Sequence, residues 1–203
     1  MSNPSEQSVA TQRRLASVKL VVAGGFGVGK TTFVGAVSEI EPLTTEAAMT
    51  TESAGIDDRS KVTDKTTTTV AMDFGRITVD DELVMYLFGT PGQERFGFMW
   101  DDLCEGALGA IVLADTRRLG DCFAALDYFE SRGIPFVVGV NHFQGGYHYP
   151  IPEVREALGL TDRTPVLECD AREKESVKMV LLALLRHLYA RATQSVPTAA
   201  AGS

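Results

Sequence analysis

Eight consecutive residues, Gly24-Gly25-Phe26-Gly27-Val28-Gly29-Lys30-Thr31, bring four glycines, a lysine and a hydroxyl into one short stretch of chain. Glycines let successive main-chain N–H groups turn toward a single point, and a ring of such donors suits a phosphate. Lys30 supplies a point charge for the β- and γ-phosphates, and the Thr31 hydroxyl is a ligand for the magnesium ion that bridges them. The spacing is that of a phosphate loop, G-x-x-x-x-G-K-[ST]. Gly24, Phe26, Gly27, Val28, Gly29, Lys30, Thr31 and Thr32 are therefore the expected phosphate-binding residues, with Lys30 also a catalytic candidate.

That chemistry requires a strand before the loop and a helix after it. Runs of β-branched and apolar residues at Val18–Ala23, Thr68–Val79, Leu83–Phe88, Ala107–Ala114, Ile134–Val140 and Pro165–Cys169 read as strands. Helical patterns lie between them. Val177, Val180, Leu181, Leu184, Leu185 and Leu188 form the apolar stripe of a last helix, and shorter helices at Cys122–Ser131 and Pro152–Leu158 are closed by Gly133 and Gly159. Strands alternating with helices predict an α/β fold, three layers deep, with helices on both faces of a central, mostly parallel sheet. From Val34 to Asp73 the rhythm breaks, with no aromatic residue and many threonines and acids; this reads as a surface loop or as a switch ordered by ligand.

The 203 residues suffice for one domain, spanning 15–192, with polar or small-residue tails at 1–14 and 193–203. A formal charge of -8 repels nucleic acid and anionic lipid over most of the surface. Hydrophobic residues at 44% and charged residues at 23% describe a chain that can bury a core. Cys104, Cys122 and Cys169 lack zinc spacing and fit a reducing compartment. No stretch is long and apolar enough to span a bilayer, and no lipidation motif is present. The expected location is the cytoplasm, with membrane recruitment only through a partner.

Three further segments resemble Ras-like small GTPases. FGTPGQERF (Phe88–Phe96) resembles their DTAGQERF switch, TVAMDF (Thr69–Phe74) their TIGVDF segment, and ECDAR (Glu168–Arg172) their ECSAK loop. The resemblance covers roughly Lys19 to Ala190, and within the superfamily it is nearest to bacterial GTPases of the gliding-polarity MglA type and to the conservon (Cvn) GTPases. It implies a P-loop fold of the Ras-like kind that binds Mg-GTP and GDP. It makes Thr69 the switch threonine that reaches magnesium and the γ-phosphate in the triphosphate state, Gly92 an amide donor to that phosphate, and Gln93 the residue that orients the attacking water. Asn141, His142, Gln144, Cys169, Asp170 and Ala171 would line the base, with the Ala171 N–H on guanine O6. The implied partners are a roadblock-fold regulator and a membrane sensor resembling a histidine kinase.

Several residues depart from the family pattern. Phe26 stands where Ras has glycine, near the entry path of Gln93, and implies slow hydrolysis. Gly89 replaces the aspartate that holds magnesium through water; by strand position Asp115 or Asp73 is the candidate substitute. The guanine-reading NKxD reads Asn141-His142-Phe143-Gln144, so an acceptor remains but its charge is lost. His142 reads as a packing residue and His148 as a solvated loop histidine. Arg95 reads as a surface or partner residue, with an internal arginine finger as the other possibility, and Phe96, Phe98, Met99 and Trp100 as either a packed cluster or a docking face. The 38 residues from Thr31 to Thr69 leave room for a longer first helix, an extra hairpin or a partner insert. The functions that follow are a slowly hydrolysing GTP switch, or a nucleotide-gated adaptor without turnover or with relaxed GTP/ATP choice. A small-metabolite kinase is a third possibility, weakened by the lack of an arginine-rich lid.

Overall fold

The computed structural model describes residues 16–41, 43–50, 67–92 and 99–194, with side chains throughout except at 43–50 and 67–71. Runs rich in valine, leucine and alanine that pack on both faces give the inner strands β1 (Ala16–Ala23), β4 (Leu83–Gly89), β5 (Gly109–Ala114) and β6 (Phe136–Asn141), and the short β7 (Val166–Cys169) closes the sheet beside β6. Two further strands, β2 (Leu43–Thr50) and β3 (Thr67–Thr78), lie at one edge. Among the described residues the sheet has seven strands in the order β2-β3-β4-β1-β5-β6-β7. β2/β3 and β3/β4 are antiparallel, and every other pairing is parallel.

Period-two alternation sends β1 into two cores. Leu20 and Val22 pack with Phe33 and Val34 of α1 (Lys30–Val37) and with Val180 and Leu184 of α5 (Lys174–Gln194). Val21 and Ala23 pack on the opposite face with Leu126 and Phe129 of α3 (Phe123–Ser131) and Val154 of α4 (Ile151–Ala157). Each of these fully buried Leu and Phe side chains contributes about 1.5–3 kcal/mol, which makes the sheet a rigid platform for the loops at its carboxyl edge. The three-layer α/β/α architecture is the one expected.

The short helix α2 (Trp100–Cys104) opens with the indole of Trp100, edge-on to Tyr128 at 5.2 Å and stacked over Phe129 at 6.2 Å between ring centroids. Trp100 is thus a packing residue beneath α3. Its former companions in the aromatic cluster, Phe96 and Phe98, lie outside the described residues, as does Arg95. Gly133 and Gly159 follow α3 and α4 in the left-handed region, as expected of helix-closing glycines.

The stretch from 34 to 73, expected as a surface loop or a switch, is not a plain loop: it contains β2 and most of β3, paired from Leu43↔Phe74 to Thr50↔Thr67. Of the readings open for the extra length, the antiparallel hairpin is the one formed; residues 51–66, its connection, lie outside the described residues. The last helix runs to Gln194, and in its final turn the Thr193 hydroxyl donates to the Tyr189 and Ala190 carbonyls at 3.1 and 3.0 Å.

Candidate functional site

The loop from Gly24 to Gly29 joins the buried end of β1 to the first turn of α1 at the carboxyl edge of the parallel strands, where open α/β sheets place ligands. Gly29 stands before the helix with φ 103°, and no side chain caps the first turn. The leading N–H groups of α1 are left for a ligand, and the helix dipole favours an anion there. Lys30 folds back beneath the loop: its Nζ donates to the Gly24 and Gly25 carbonyls at 2.9 and 2.8 Å. The side chain is only 8% exposed, and burial pulls its ammonium down to about 8, opposed in part by the Asp73 carboxylate.

Thr31 and Asp73 form the second part of the site. The Thr31 hydroxyl donates to Asp73 Oδ2 at 2.9 Å, and Asp73 is itself buried. Strand register explains how the carboxylate fits. Asp73 on β3 stands opposite Gly89 on β4, and a Cβ added at Gly89 would lie 2.9 Å from both Cβ and Oδ2 of Asp73. A side chain at Gly89 and the Asp73 side chain exclude one another. The other candidate, Asp115, is bound by its own neighbour: it accepts from Arg117 N and Nε at 2.9 Å and from Nη2 at 2.7 Å, and these bonds hold its carboxyl below the usual range. Of the two acids, Asp73 is the one beside Thr31.

The end of β4 closes on the loop. A Cβ added at Gly92 would meet Lys30 Nζ at 2.7 Å and Phe26 Cα at 2.9 Å, so only glycine fits there. Gln93, the next residue, lies outside the described residues. Thr69 lies in β3 opposite Ala48, four residues before Asp73, or about 13 Å along an extended strand. The structure therefore does not bring the Thr69 backbone to the Thr31–Asp73 pair. Phe26 is 64% exposed at the mouth of the loop, and its carbonyl accepts from Arg118 Nη2 at 2.6 Å. Sequence reasoning missed Arg118, which lies four residues past the end of β5, at the carboxyl edge of the sheet where ligands sit.

Beyond the phosphate loop is a recess of about 210 Å³ bordered by Gly29, Thr32, His142, Gln144, Asp170 and Ala171. Asn141 ties its walls together, donating from Nδ2 to the Val28 carbonyl at 2.8 Å and accepting the Ala171 N–H at 2.9 Å. The main-chain donor expected for a base thus points to Asn141. Cys169 is buried, its thiol pushed up to about 12 by desolvation, and its carbonyl accepts the His142 N–H at 2.8 Å. Asp170 is gripped by Arg172 Nε and Nη2 at 2.8 and 2.6 Å, which hold its carboxyl at about 2. Gln144 is exposed at the rim. His148, expected alone in solvent, is exposed but sets its ring against that of His142, 4.2 Å between centroids. Among the described residues no three His, Cys, Asp or Glu side chains converge as a metal cluster.

The model of the family described as conserved hypothetical ATP binding proteins matches residues 22–191, from the end of β1 through most of α5. The chain belongs to that family. An uncharacterised protein of Methanocaldococcus jannaschii is 34% identical over 126 residues, covering 61% of this chain and 69% of that protein. Among solved structures, the FeoB G-domain of Methanococcus jannaschii superposes with a TM-score of 0.56 at 14% identity, over 86% of this chain and 99% of that one. The cytosolic domain of the Thermotoga maritima FeoB iron transporter in a GDP form gives 0.60 at 18% identity, over 86% of this chain. Its apo form gives 0.59 at 18% identity, over 85%. This chain spans 64% of the length of each T. maritima chain. At these identities the likeness is one of fold: this member of the ATP-binding-protein family has the architecture of a P-loop GTPase G-domain. Among its described residues no helix is long and apolar enough to cross a membrane.

Proposed function

We propose that this protein is a switch that binds magnesium-nucleoside triphosphate and hydrolyses it slowly. The observation that carries the reading is the joint placement, at one strand edge, of a glycine loop, an uncapped helix start, the buried Lys30 ammonium and the Thr31–Asp73 pair. Together these parts favour a polyanion with a hard cation, and the family's description and the structural neighbour in a GDP form support the reading.

Thr31 offers the hard oxygen donor that magnesium takes alongside phosphate oxygens and water, and the adjacent Asp73 carboxylate is placed to hold one of those waters, so the residues present fit the ion. When bound, it would neutralise charge on the β- and γ-phosphates. The chain's own residues do the rest: loop amides and Lys30 hold the phosphates, the Gly92 N–H faces the last of them, and Gln93 orients water. Thr69 joins only if the β2–β3 hairpin rearranges, which makes that hairpin the element whose position distinguishes the two nucleotide states.

The base site supports GTP with weak discrimination against ATP. Gln144 retains an acceptor without charge where a carboxylate would pair with guanine N1 and N2, a loss of about 2–4 kcal/mol, and Asn141 already holds the Ala171 N–H. Signalling through a roadblock-fold regulator and a sensor resembling a histidine kinase, in the manner of MglA-type and conservon GTPases, accords with the FGTPGQERF segment. Calorimetry on nucleotide-stripped protein with GTP, GDP and ATP in magnesium buffer tests the reading. Binding of GTP with ATP within about thirtyfold is expected; indifference to all three at millimolar concentration would overturn it.

Phe26 sets the rate in this reading. Its backbone lies against Gly92, the residue before Gln93, and its ring stands exposed. Phe26→Gly should raise single-turnover phosphate release about tenfold, roughly 1.4 kcal/mol of barrier. Equal rates for the two proteins would remove Phe26 as the cause. The same exposed ring favours a second reading, an adaptor with negligible turnover, and multiple-turnover assays with and without a roadblock-type partner separate the two.

A further inference from the structure

Asp115 follows the end of β5 and caps the 3-10 helix Thr116–Cys122, which carries two adjacent arginines whose side chains part company. Arg117 turns away from the phosphate loop, pairing with Asp115 and lying over the Phe143 ring at 3.7 Å. Arg118 turns toward it. The cause is local: Arg118 has φ −145° and ψ 55°, a kink inside the 3-10 helix, while its N–H still bonds the Asp115 carbonyl at 2.9 Å. Its Nη2 donates to the Phe26 carbonyl at 2.6 Å, and its Nη1 lies 3.6 Å from Asp121 Oδ2. Asp121 in turn fills the space beside Gly25, where an added Cβ would lie 2.5 Å from the Asp121 Cβ. One short segment thus braces the loop at Gly25 and Phe26, with Arg118 Nη2 also 3.7 Å from a Cβ built at Gly27.

The bond to Phe26 has a consequence for the next residue. No described peptide is cis, so the Gly27 N–H points opposite to the Phe26 carbonyl that Arg118 holds. Gly27, with φ 71° and no Cβ, lets that peptide turn over cheaply, which would aim a carbonyl instead of an N–H at a polyanion. A guanidinium on the carbonyl blocks the turn and polarises the peptide, making its N–H a stronger donor.

We propose that Arg118 is a positioning residue of the phosphate site, fixing the Phe26–Gly27 peptide with its N–H presented to the bound phosphates. The inference rests on the nucleotide-binding reading above. It acts on di- and triphosphate alike, since the loop holds both.

Titration of fluorescent GDP and GTP against wild type, Arg118→Ala, Arg118→Lys and Arg118→Gln tests it, together with the amide resonance of Gly27 in the ligand-free protein. Arg118→Ala is expected to weaken both nucleotides about tenfold or more, to shift the Gly27 resonance, and to leave the ligand-free melting midpoint nearly unchanged, because Arg118 is half exposed. Arg118→Lys should restore most of the affinity and the resonance; Arg118→Gln, a donor without charge, should restore less. Wild-type affinity in Arg118→Ala, or an unmoved Gly27 resonance, would overturn the proposal while leaving nucleotide binding intact. Wild-type protein that binds neither nucleotide overturns the underlying reading first, and this inference with it.

Discussion

Lys30→Met is expected to raise the dissociation constant for nucleoside triphosphate about 100- to 1,000-fold, a loss of roughly 3–4 kcal/mol of charge-assisted contact to phosphate, while leaving the ligand-free protein nearly as stable as before. The second half of that expectation follows from the cost of the lysine. An ammonium 8% exposed, with its pKa brought down from 10.5 to about 8, is held in the folded protein at a penalty of about 3 kcal/mol. Methionine has similar length and no charge, so it removes that penalty. It also removes the bonds to the Gly24 and Gly25 carbonyls, at about 1 kcal/mol each. The two effects nearly cancel. Chemical denaturation of the ligand-free proteins and nucleotide titration together check both halves. A variant that keeps its affinity would show that Lys30 is not at the phosphates, and one that loses several kcal/mol of stability would show that the lysine is structural.

The fold was legible where one residue type has one job. The buried half of β1, Leu20–Ala23, and β5 after its leading glycine are runs of small and branched apolar residues because they are covered on both faces, and the stripe on α5 repeats because that helix lies on the sheet. The phosphate loop was legible for a related reason: its glycines answer to backbone geometry and close approach, which no tertiary partner can replace. β2 was not. Leu43-Thr-Thr-Glu-Ala-Ala-Met-Thr50 has no alternation because it pairs only with β3 at the sheet edge, so the extra length was recognised without its form. The choice between Asp73 and Asp115 also needed register. Both follow or precede apolar runs, and only the pairing of Asp73 with Gly89, and of Asp115 with Arg117, separates them. Arg118 lies 92 residues from Phe26 and beside a second arginine that turns the other way; no spacing rule distinguishes the pair. The Ala171 N–H was assigned to a base by resemblance, and its bond to Asn141 is visible only in three dimensions.

Moving the Asp73 carboxylate across the strand pair to position 89 is the sharper test of the proposed magnesium site. Positions 73 and 89 face each other so closely that only one can carry a side chain. Asp73→Gly alone should weaken magnesium-dependent nucleotide binding about 10- to 100-fold, the usual effect of losing an outer partner of a metal site. Gly89→Asp alone should be worse for the fold: it drives two Cβ atoms toward 2.9 Å and sets two carboxylates side by side in a buried place, a change expected to cost several kcal/mol. Combined, Asp73→Gly and Gly89→Asp relieve the clash and restore one carboxylate near Thr31. Magnesium titrations of the double variant should therefore return to within about tenfold of wild type, and its stability to within about 2 kcal/mol, the residual being the glycine placed in β3. If the double variant binds magnesium-nucleotide no better than Asp73→Gly, the carboxylate is not what the metal site requires, and Gly89 is small only to let β3 and β4 approach.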